Sequence, residues 1–488
     1  MSSLKIPCSL FLSFTCLLAA VIPLSTIGEC IGDDAEACLA QHHNADVVKS
    51  HQPARKTTVL VYIAGDNDLH PFIRNDVRQM QRVGSDENTN ILVFLNTKFP
   101  GQKKVTRKLY ITREKILQHG PDETRDSGDP ATLVEACRWA HDDFPSEKFV
   151  LILWDHGTGS LNRMIRAAYK DEIDAVTTYR RNVLASIGRE EDRAVCFDFT
   201  TGHFLTDAKL SEALAHVVKN QRGGKKIDVL AFDACLMADI EIAFVLQPYV
   251  DYMVSSQEVV PGTGYGYDVA LGPLAQNPAM EPRDIALHFV QAYYQTYRHE
   301  KDYTHSAYDL AALPVLVDEL NLVARWFEAF LKAPQARQVR DVLRWCGHPH
   351  YCTHFENANY VDLSHFCSNC SRRASELPLQ PNQGKQAMLT YLDGVQNCIQ
   401  ECVIANVRGS KYKHACGMSI YMPSRSIDPT YPHLIWSQKT HWYPFLRQLF
   451  SVRYEHDLAD FDNSTPTPPG AIIPEQFNMA GELNMFAS

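Results

Sequence analysis

The fold of this chain is decided by a short apolar run, FVLILW at residues 149–154, which is followed at once by the polar turn DHGTG at residues 155–159. The run does not alternate apolar with polar positions, so a strand formed by it is buried on both faces. Comparable runs lie at residues 57–64, 90–96 and 227–232, with segments of helical periodicity between them. Buried strands separated by helices predict an α/β fold, built on a mostly parallel sheet with helices on both faces.

Polar residues follow two of these runs, at the sheet edge where ligands of open α/β folds bind. His156 and Gly157 come after the quoted run, and Asp233 and Cys235 come after the run at 227–232. If the two strands are neighbours, an imidazole and a thiol face each other across this edge. A thiol nucleophile needs an imidazole, which supports formation of the thiolate and then protonates the leaving amine. His156 and Cys235 are therefore the candidate catalytic pair.

Gly157 meets a second requirement of this chemistry. A residue without Cβ lets a scissile carbonyl approach the backbone, and the N–H groups of Gly157 and Cys235 can together hold the developing oxyanion. Each motif alone has a simpler interpretation, because a histidine in a glycine-rich turn and a cysteine after a buried strand are usually structural. Their occurrence together at two strand ends favours catalysis.

The order of the motifs resembles that of the clostripain-like cysteine peptidases, which are relatives of the caspases and gingipains. The resemblance covers about residues 57–454 and implies a caspase-like fold with a carboxy-terminal α/β extension. It also implies that the chain is a cysteine endopeptidase with His156 as its catalytic histidine and Cys235 as its nucleophile. The matching motifs are YIAGDNDL at 62–69, WDHG at 154–157, FDACLM at 232–237, SSQE at 255–258 with PGTG at 261–264, SAYDL at 306–310, YVDL at 360–363 and GMSIYMP at 417–423.

The resemblance further implies cleavage after Arg or Lys, with acidic groups in the pocket that receives this side chain. Asp233 matches an acid that lines the pocket in relatives, although it could equally be a loop residue that caps backbone N–H groups. A second acid is expected where relatives show Gly-Trp-Asp-Tyr, and here the stretch reads GYGYD at residues 264–268. Gly266 stands at the aspartate position. Either Asp268 substitutes or the pocket is less acidic, which would weaken or redirect the preference.

Some relatives are zymogens that cut themselves between the His and Cys motifs, and in this chain that interval is polar and basic. We expect self-cleavage after one of five residues, namely Arg163, Arg166, Lys170, Arg180 and Arg181. The alternative is a solvated loop whose basic residues have no role.

The overall composition limits the classes of partner. The 488 residues include 47 Lys and Arg against 57 Asp and Glu, giving a net charge of −10, and 45% are hydrophobic. Without a basic run the chain lacks the charge pattern of a nucleic-acid binder, so the expected partners are protein or peptide substrates. No cofactor is predicted with certainty. Calcium, on which some relatives depend, is allowed by the resemblance alone, because the chain has no recognisable calcium-binding loop.

The first residues predict a secretory signal. Lys5 precedes an apolar segment that runs to Leu24, and small residues lead to a cut near Gly28. The alternative is an uncleaved signal anchor, because the uncharged stretch is long enough to span a bilayer. A secreted, periplasmic or cell-envelope location is therefore expected, with membrane attachment only if the segment is not cleaved.

These features divide the chain into five parts. We predict a signal peptide at residues 1–28, an N-terminal linker at 29–56, a caspase-like catalytic domain at 57–300, a C-terminal region of helices and a strand at 301–457, and a proline-rich flexible tail at 458–488.

The 14 cysteines raise a separate structural question. An odd number remains once the predicted signal and Cys235 are set aside, so at least one thiol is free or intermolecular. A late group, Cys346, Cys352, Cys367 and Cys370, lies among several histidines, and in an exported protein disulfide bonds are the favoured interpretation. The alternative is structural zinc, because CSNC at 367–370 has metal-binding spacing. No second close pair completes a zinc ribbon, so no metal ligand is assigned.

Two functions other than peptidase activity stay open from the residues alone. The chain could be a catalytically silent caspase-like scaffold that binds a peptide in its cleft, although such a protein need not keep the intact His-Gly and Asp-Ala-Cys motifs. It could also be an extracellular binding module organised by the late Cys/His cluster.

Overall fold

The computed structural model describes residues 53–158, 195–377 and 384–451 of the chain. The predicted signal, most of the predicted linker, the predicted tail and all five candidate cleavage residues lie outside these ranges. The described residues form a nine-stranded sheet, two small two-stranded sheets and the helices that pack on them. The predicted α/β class is confirmed.

The strands and helices of the described part follow the predicted runs closely. The strands are β1 (Arg55–Gly65), β2 (Thr89–Thr97), β3 (Val105–Ile111), β4 (Ile116–Gln118), β5 (Ser146–Trp154), β6 (Val195–Asp198), β7 (His203–Leu205), β8 (Ile227–Asp233), β9 (Val250–Ser255), β10 (Thr304–Asp309), β11 (Tyr360–Asp362), β12 (Val403–Arg408) and β13 (Ser419–Tyr421). The helices are α1 (His70–Val83), α2 (Pro130–Asp143), α3 (Asp207–His216), α4 (Ile240–Leu246), α5 (Tyr267–Gln276), α6 (Pro282–Tyr297), α7 (Leu313–Phe330), α8 (Ala336–Cys346), α9 (Leu363–Arg372), α10 (Gly384–Cys402), α11 (Ile435–Lys439) and α12 (Trp442–Ser451). None of these helices is both long and apolar enough to cross a bilayer.

The large sheet is parallel in its centre and antiparallel at both edges. Its strand order is β12-β10-β9-β8-β5-β1-β2-β3-β4. The five strands from β9 to β2 pair in parallel, whereas β3 and β4 on one side and β10 and β12 on the other pair antiparallel. The prediction of a mostly parallel sheet therefore applies to its centre, and the sheet as a whole is mixed.

Both faces of the central strands are buried, which explains why their sequences do not alternate. Successive side chains of a strand point to opposite faces. In β1, Leu60 and Tyr62 enter one hydrophobic core, and Val59, Val61 and Ile63 enter the core on the other face. Helices α2, α3, α4 and α7 contribute to the first core, and α1, α5 and α6 contribute to the second.

The region after residue 300 is joined closely to the rest of the molecule. Strands β10 and β12 continue the large sheet, so the predicted boundary at residue 300 does not separate two sheets. The buried Glu241 on α4 also reaches this region, because its Oε1 accepts hydrogen bonds from Tyr421 N at 3.0 Å and from Tyr431 Oη at 3.1 Å. A buried carboxylate with these partners fixes the later region against the sheet.

Three neighbouring strands end at the same level. In the register of the sheet, Ile63 of β1 lies beside Trp154 of β5, and Trp154 lies beside Asp233 of β8. Because all three strands are parallel, the turns that follow them meet at one edge. This is the edge at which the sequence placed its candidate residues.

Candidate functional site

The His-Gly and Asp-Ala-Cys motifs lie in contact at the carboxyl edge of the sheet. Strands β5 and β8 are direct neighbours, and Asp155 N donates to Asp233 O at 3.2 Å just beyond the last pair of the register. Gly157 packs so closely on the second motif that a Cβ added to it would lie 2.9 Å from Cys235 N. The absence of a side chain at Gly157 is what allows the two turns to meet.

Cys235 is half-buried, and its sulfur faces backbone N–H groups. Val260 N donates to Cys235 Sγ at 3.3 Å. Burial raises the pKa of the Cys235 thiol to about 11, although the N–H groups of Val260 and Gly157 oppose this by stabilising a thiolate. In this arrangement the sulfur is therefore protonated at neutral pH.

His156 is held by a carboxylate that the sequence reasoning did not select. His156 Nε2 donates to Asp68 Oδ1 at 2.8 Å, and the two side chains are 21% and 32% exposed. Burial acts to lower the pKa of His156, but the hydrogen bond to Asp68 and the charges of Asp155 and Asp68 outweigh it and raise the pKa. The imidazolium form is thus stabilised.

Asp68 belongs to the turn GDND at residues 65–68, which follows the third of the level strands, β1. The sequence contained a signal for it, because the turn lies within a family motif and after a buried strand, as the His and Cys motifs do. Three polar residues stand there in succession, and the sequence does not say which of them reaches the histidine. The hydrogen bond between Asp68 and His156 resolves this.

The other two polar residues of the turn hold neighbouring segments. Asn67 Nδ2 donates to Asp155 Oδ1 at 2.6 Å and to Phe197 O at 3.3 Å. Asp66 accepts Phe199 N at 2.8 Å through its backbone oxygen, and its side chain lies 3.4 Å from Lys104 Nζ. Together these contacts join β1, β5 and the segment around β6.

Strand β6 is the first described segment after residues 159–194, and it is fastened beside the site. Val195 forms an isolated antiparallel bridge with Gly157. Phe197 N donates to the Asp155 carboxylate, and Asp198 pairs with Lys104. The residues that flank 159–194 on either side therefore lie next to each other.

Asp233 lies buried under the stretch that follows PGTG. Its Oδ2 accepts Tyr267 Oη at 2.9 Å and Tyr265 N at 3.2 Å. Burial raises the pKa of Asp233 to about 6, while these two hydrogen bonds lower it. Gly264 crosses directly over the carboxylate with φ +53°, and a Cβ there would lie 2.8 Å from Asp233 Oδ1.

Two other acids of this region, Asp268 and Asp76, have partners that the sequence does not predict. Asp268 lies at the start of α5 and pairs with Arg82 at 2.7 Å. The carboxyl that interacts with Asp233 is Asp76 on α1, which accepts Trp154 Nε1 at 2.8 Å. Burial first, and the charge of Asp233 second, raise the pKa of Asp76 to about 8. Sequence reasoning missed Asp76 because it lies within helix α1, outside the quoted motifs and not at a strand end.

A region after residue 300 supports the nucleophile turn through the motif SSQE. Leu236 N donates to Glu258 O at 3.2 Å, and the Glu258 side chain accepts Glu356 N at 3.0 Å and the Tyr412 hydroxyl. In the same motif, Gln257 Nε2 donates to Asp362 at 3.1 Å. The turn around Cys235 is thus connected to the YVDL motif.

The late cysteines form part of the core. All ten cysteines of the described ranges are free thiols, so the expected disulfide bonds are not confirmed. The four of the late group are buried and pack in the first hydrophobic core. His354 Nε2 lies 2.8 Å from Gly347 O and its Nδ1 lies 2.9 Å from Ala358 O, so both ring nitrogens contact backbone carbonyl oxygens. Within the described residues, no group of His, Cys, Asp or Glu could hold a metal ion.

Comparison with known proteins places this geometry in a family. The model of the clostripain family, peptidase C11, matches residues 61–178 and 179–450, which is more than half of the chain. Clostripain from Hathewaya histolytica is 25% identical over 243 residues, or 44% of this chain and 41% of clostripain. The matched part thus spans less than half of the length of clostripain.

Two solved structures share the fold. An inactive zymogen C11 protease from Parabacteroides distasonis aligns over 81% of this chain and 99% of its own, with a TM-score of 0.53 and 18% identity. A secreted C11 cysteine protease from Bacteroides thetaiotaomicron, solved with an irreversible peptide inhibitor, aligns over 80% of this chain and 99% of its own, with a TM-score of 0.52 and 19% identity.

The contact between Gly264 and Asp233 can be tested through stability. We expect Gly264→Ala to lower the free energy of unfolding by about 2 to 4 kcal/mol, because the new Cβ combines a left-handed backbone with a clash against the carboxylate. Gly120→Ala is the matched control, because Gly120 has φ +82° and no atom near its Cβ position. It should lose only about 1 kcal/mol. Chemical denaturation measures both, and equal losses would contradict the close contact.

Proposed function

The chain belongs to the clostripain family, and on that premise we propose that it is a cysteine endopeptidase whose catalytic pair is His156 and Cys235. The observation that carries the proposal is the contact between the two motifs at the ends of β5 and β8. Substrates are proteins or peptides, as the family description implies.

In the proposed reaction, the thiol becomes nucleophilic only as substrate binds. Since burial holds the pKa of Cys235 at about 11, the proton leaves Sγ for the His156 imidazole as the sulfur attacks the peptide carbonyl. The imidazolium then protonates the leaving amine, and water hydrolyses the thioester. The N–H groups of Gly157 and Cys235 are proposed to hold the oxyanion, and loss of one such donor typically costs about a hundredfold or more in rate.

The first test is turnover of Arg- and Lys-blocked amides. Cys235→Ala and His156→Ala should each lower kcat/KM at least about a thousandfold, because the nucleophile and its proton acceptor act as a unit. Cys398→Ala is the matched control, since Cys398 is another half-buried thiol and lies on helix α10, outside the His and Cys motifs. A wild-type protein that neither turns over these amides nor is labelled at Cys235 by an arginyl chloromethyl ketone would favour the silent scaffold.

We propose a preference for Arg or Lys that depends on one ionised acid, Asp233. The pKa of Asp76 is about 8, so Asp76 is largely protonated at neutral pH, and Asp268 is engaged with Arg82. Asp233 is only 5% exposed, so the covering stretch at residues 264–267 must shift for a guanidinium to reach it. These observations support the second alternative from the sequence, in which Asp268 does not substitute and the substrate pocket is less acidic than in relatives.

The preference should therefore depend on pH. With a pKa of about 6, Asp233 ionises as the pH rises, so the ratio of kcat/KM for Arg over the neutral isostere citrulline should grow from pH 5 to pH 8. At pH 8 we expect a ratio of about 10- to 100-fold, the effect of one charged hydrogen bond, and Asp233→Asn should abolish its pH dependence. If Asp268→Asn abolishes it instead, Asp268 is the pocket acid.

We also propose that the protein is a zymogen that cuts itself between His156 and Cys235. The bridge between Gly157 and Val195 supports this, because it joins the two residues that flank the candidate cleavage segment, and Gly157 packs on Cys235. The five candidate residues lie outside the described ranges, as do the predicted signal and its cut. Export of the chain therefore stays a prediction from the sequence, and calcium is allowed by the family resemblance alone.

Self-cleavage can be read from a denaturing gel. We expect purified wild type to give two fragments and Cys235→Ala to give one band. If the reaction is intramolecular, active wild type added to the Cys235→Ala protein should cut it slowly or not at all. Mass spectrometry of the new ends should place the cut after Arg163, Arg166, Lys170, Arg180 or Arg181. Identical single bands for both proteins would rule the idea out.

A further inference from the structure

We propose that Asp68 is the positioning residue for His156, which it holds through Nε2 so that Nδ1 exchanges the proton with the reacting atoms. The inference rests on the proposed role of His156 and adds a third member to the site. It starts from the 2.8 Å hydrogen bond between Asp68 Oδ1 and His156 Nε2.

The backbone that carries the Asp68 carboxylate is held in place by hydrogen bonds of the neighbouring residue, Asn67. Asn67 Nδ2 donates to Ala64 O at 2.8 Å and to Asp155 Oδ1 at 2.6 Å, and Asn67 Oδ1 accepts Leu69 N at 3.0 Å. Asp68 therefore follows a residue that is hydrogen-bonded to β1 and to the His156 turn, and precedes one that is hydrogen-bonded to Asn67. A residue placed in this way can orient a ring at little entropic cost.

The contact with Nε2 determines the path of the proton. When Cys235 attacks, its proton moves from Sγ to Nδ1, and the S–C bond forms to the peptide carbonyl. The same proton then passes from Nδ1 to the leaving nitrogen as the C–N bond breaks. During both transfers the Asp68 carboxylate accepts a hydrogen bond from Nε2–H. Its negative charge stabilises the imidazolium between the two transfers, and Asp68 itself is not protonated.

The charges that face His156 single out Asp68. Two carboxylates raise the pKa of His156, Asp68 and Asp155, and Asp68 is hydrogen-bonded to the ring. Burial raises the pKa of Asp155 to about 8, and its two oxygens accept hydrogen bonds from Asn67 Nδ2 and Phe197 N. Asp155 thus stabilises the turn that carries His156, and Asp68 makes the hydrogen bond to the imidazole ring.

The chain contains a matched control for the test. His119 and Asp143 form a second histidine–carboxylate pair, with Nε2 and Oδ2 3.6 Å apart and exposures of 21% and 16%. This pair lies beside Phe144, whose oxygen accepts Thr58 Oγ1 near the start of β1. It is therefore at the opposite end of the parallel strands from Cys235, and Asp143→Asn removes a similar charge without reaching the site.

The experiment compares Asp68→Asn, Asp68→Glu and Asp143→Asn with wild type. We expect Asp68→Asn to lower kcat about 10- to 100-fold with KM within about twofold, because it removes charge from the imidazolium and leaves the substrate pocket intact. The limb of the pH profile that reports His156 should move to lower pH, and Asp68→Glu should restore part of the rate. Asp143→Asn should leave rate and profile unchanged.

A second measurement does not require activity. In a Cys235→Ala background, NMR titration of His156 should give a lower pKa when Asp68 is also changed to Asn, and no change with Asp143→Asn. An unchanged titration, or equal losses of rate in the Asp68→Asn and Asp143→Asn variants, would overturn the positioning role. If wild type itself lacks turnover, the proposed function fails, and the titration still decides whether Asp68 holds the ring.

Discussion

Everything at the candidate site depends on the common level at which β1, β5 and β8 end. Parallel pairing aligns Ile63, Trp154 and Asp233 in one row, so three turns with different chemistry begin side by side. A shift of one residue in any of these strands would turn its side chains to the opposite core and displace its turn. The apolar residues that fill both cores therefore also fix the positions of the carboxylate, the imidazole and the thiol.

The sequence predicted the centre of the sheet better than its edges, for a physical reason. Residues 57–64, 149–154 and 227–232 are buried on both faces and consequently have an unbroken apolar pattern, whereas every residue of the edge strand β12 is only half-buried. The same contrast holds for the site. His156 and Cys235 follow such runs directly, but the partners of Asp68, Asp76 and Asp268 are set by packing between distant segments, which no local pattern encodes.

The region after residue 300 takes part in the architecture of the site. Its strands extend the sheet, and Glu356, Asp362 and Tyr412 bind the motif that follows β9. Through Glu258 O and Leu236 N this motif in turn supports the backbone next to Cys235. Motifs in the second half of the chain thus contribute to the conformation of the nucleophile turn.

The fastening of β6 has a consequence for how the molecule is made. A cut within residues 159–194 would leave two polypeptides joined by the contacts of Val195, Phe197 and Asp198 beside the site and by both shared cores. Before the cut, folding is a first-order event within one chain. Afterwards, recovery from unfolding would require two chains to meet, so it would follow second-order kinetics and fail at high dilution. Before the cut, the covalent link between the two halves would keep them together during folding. After the cut, unfolding would be effectively irreversible.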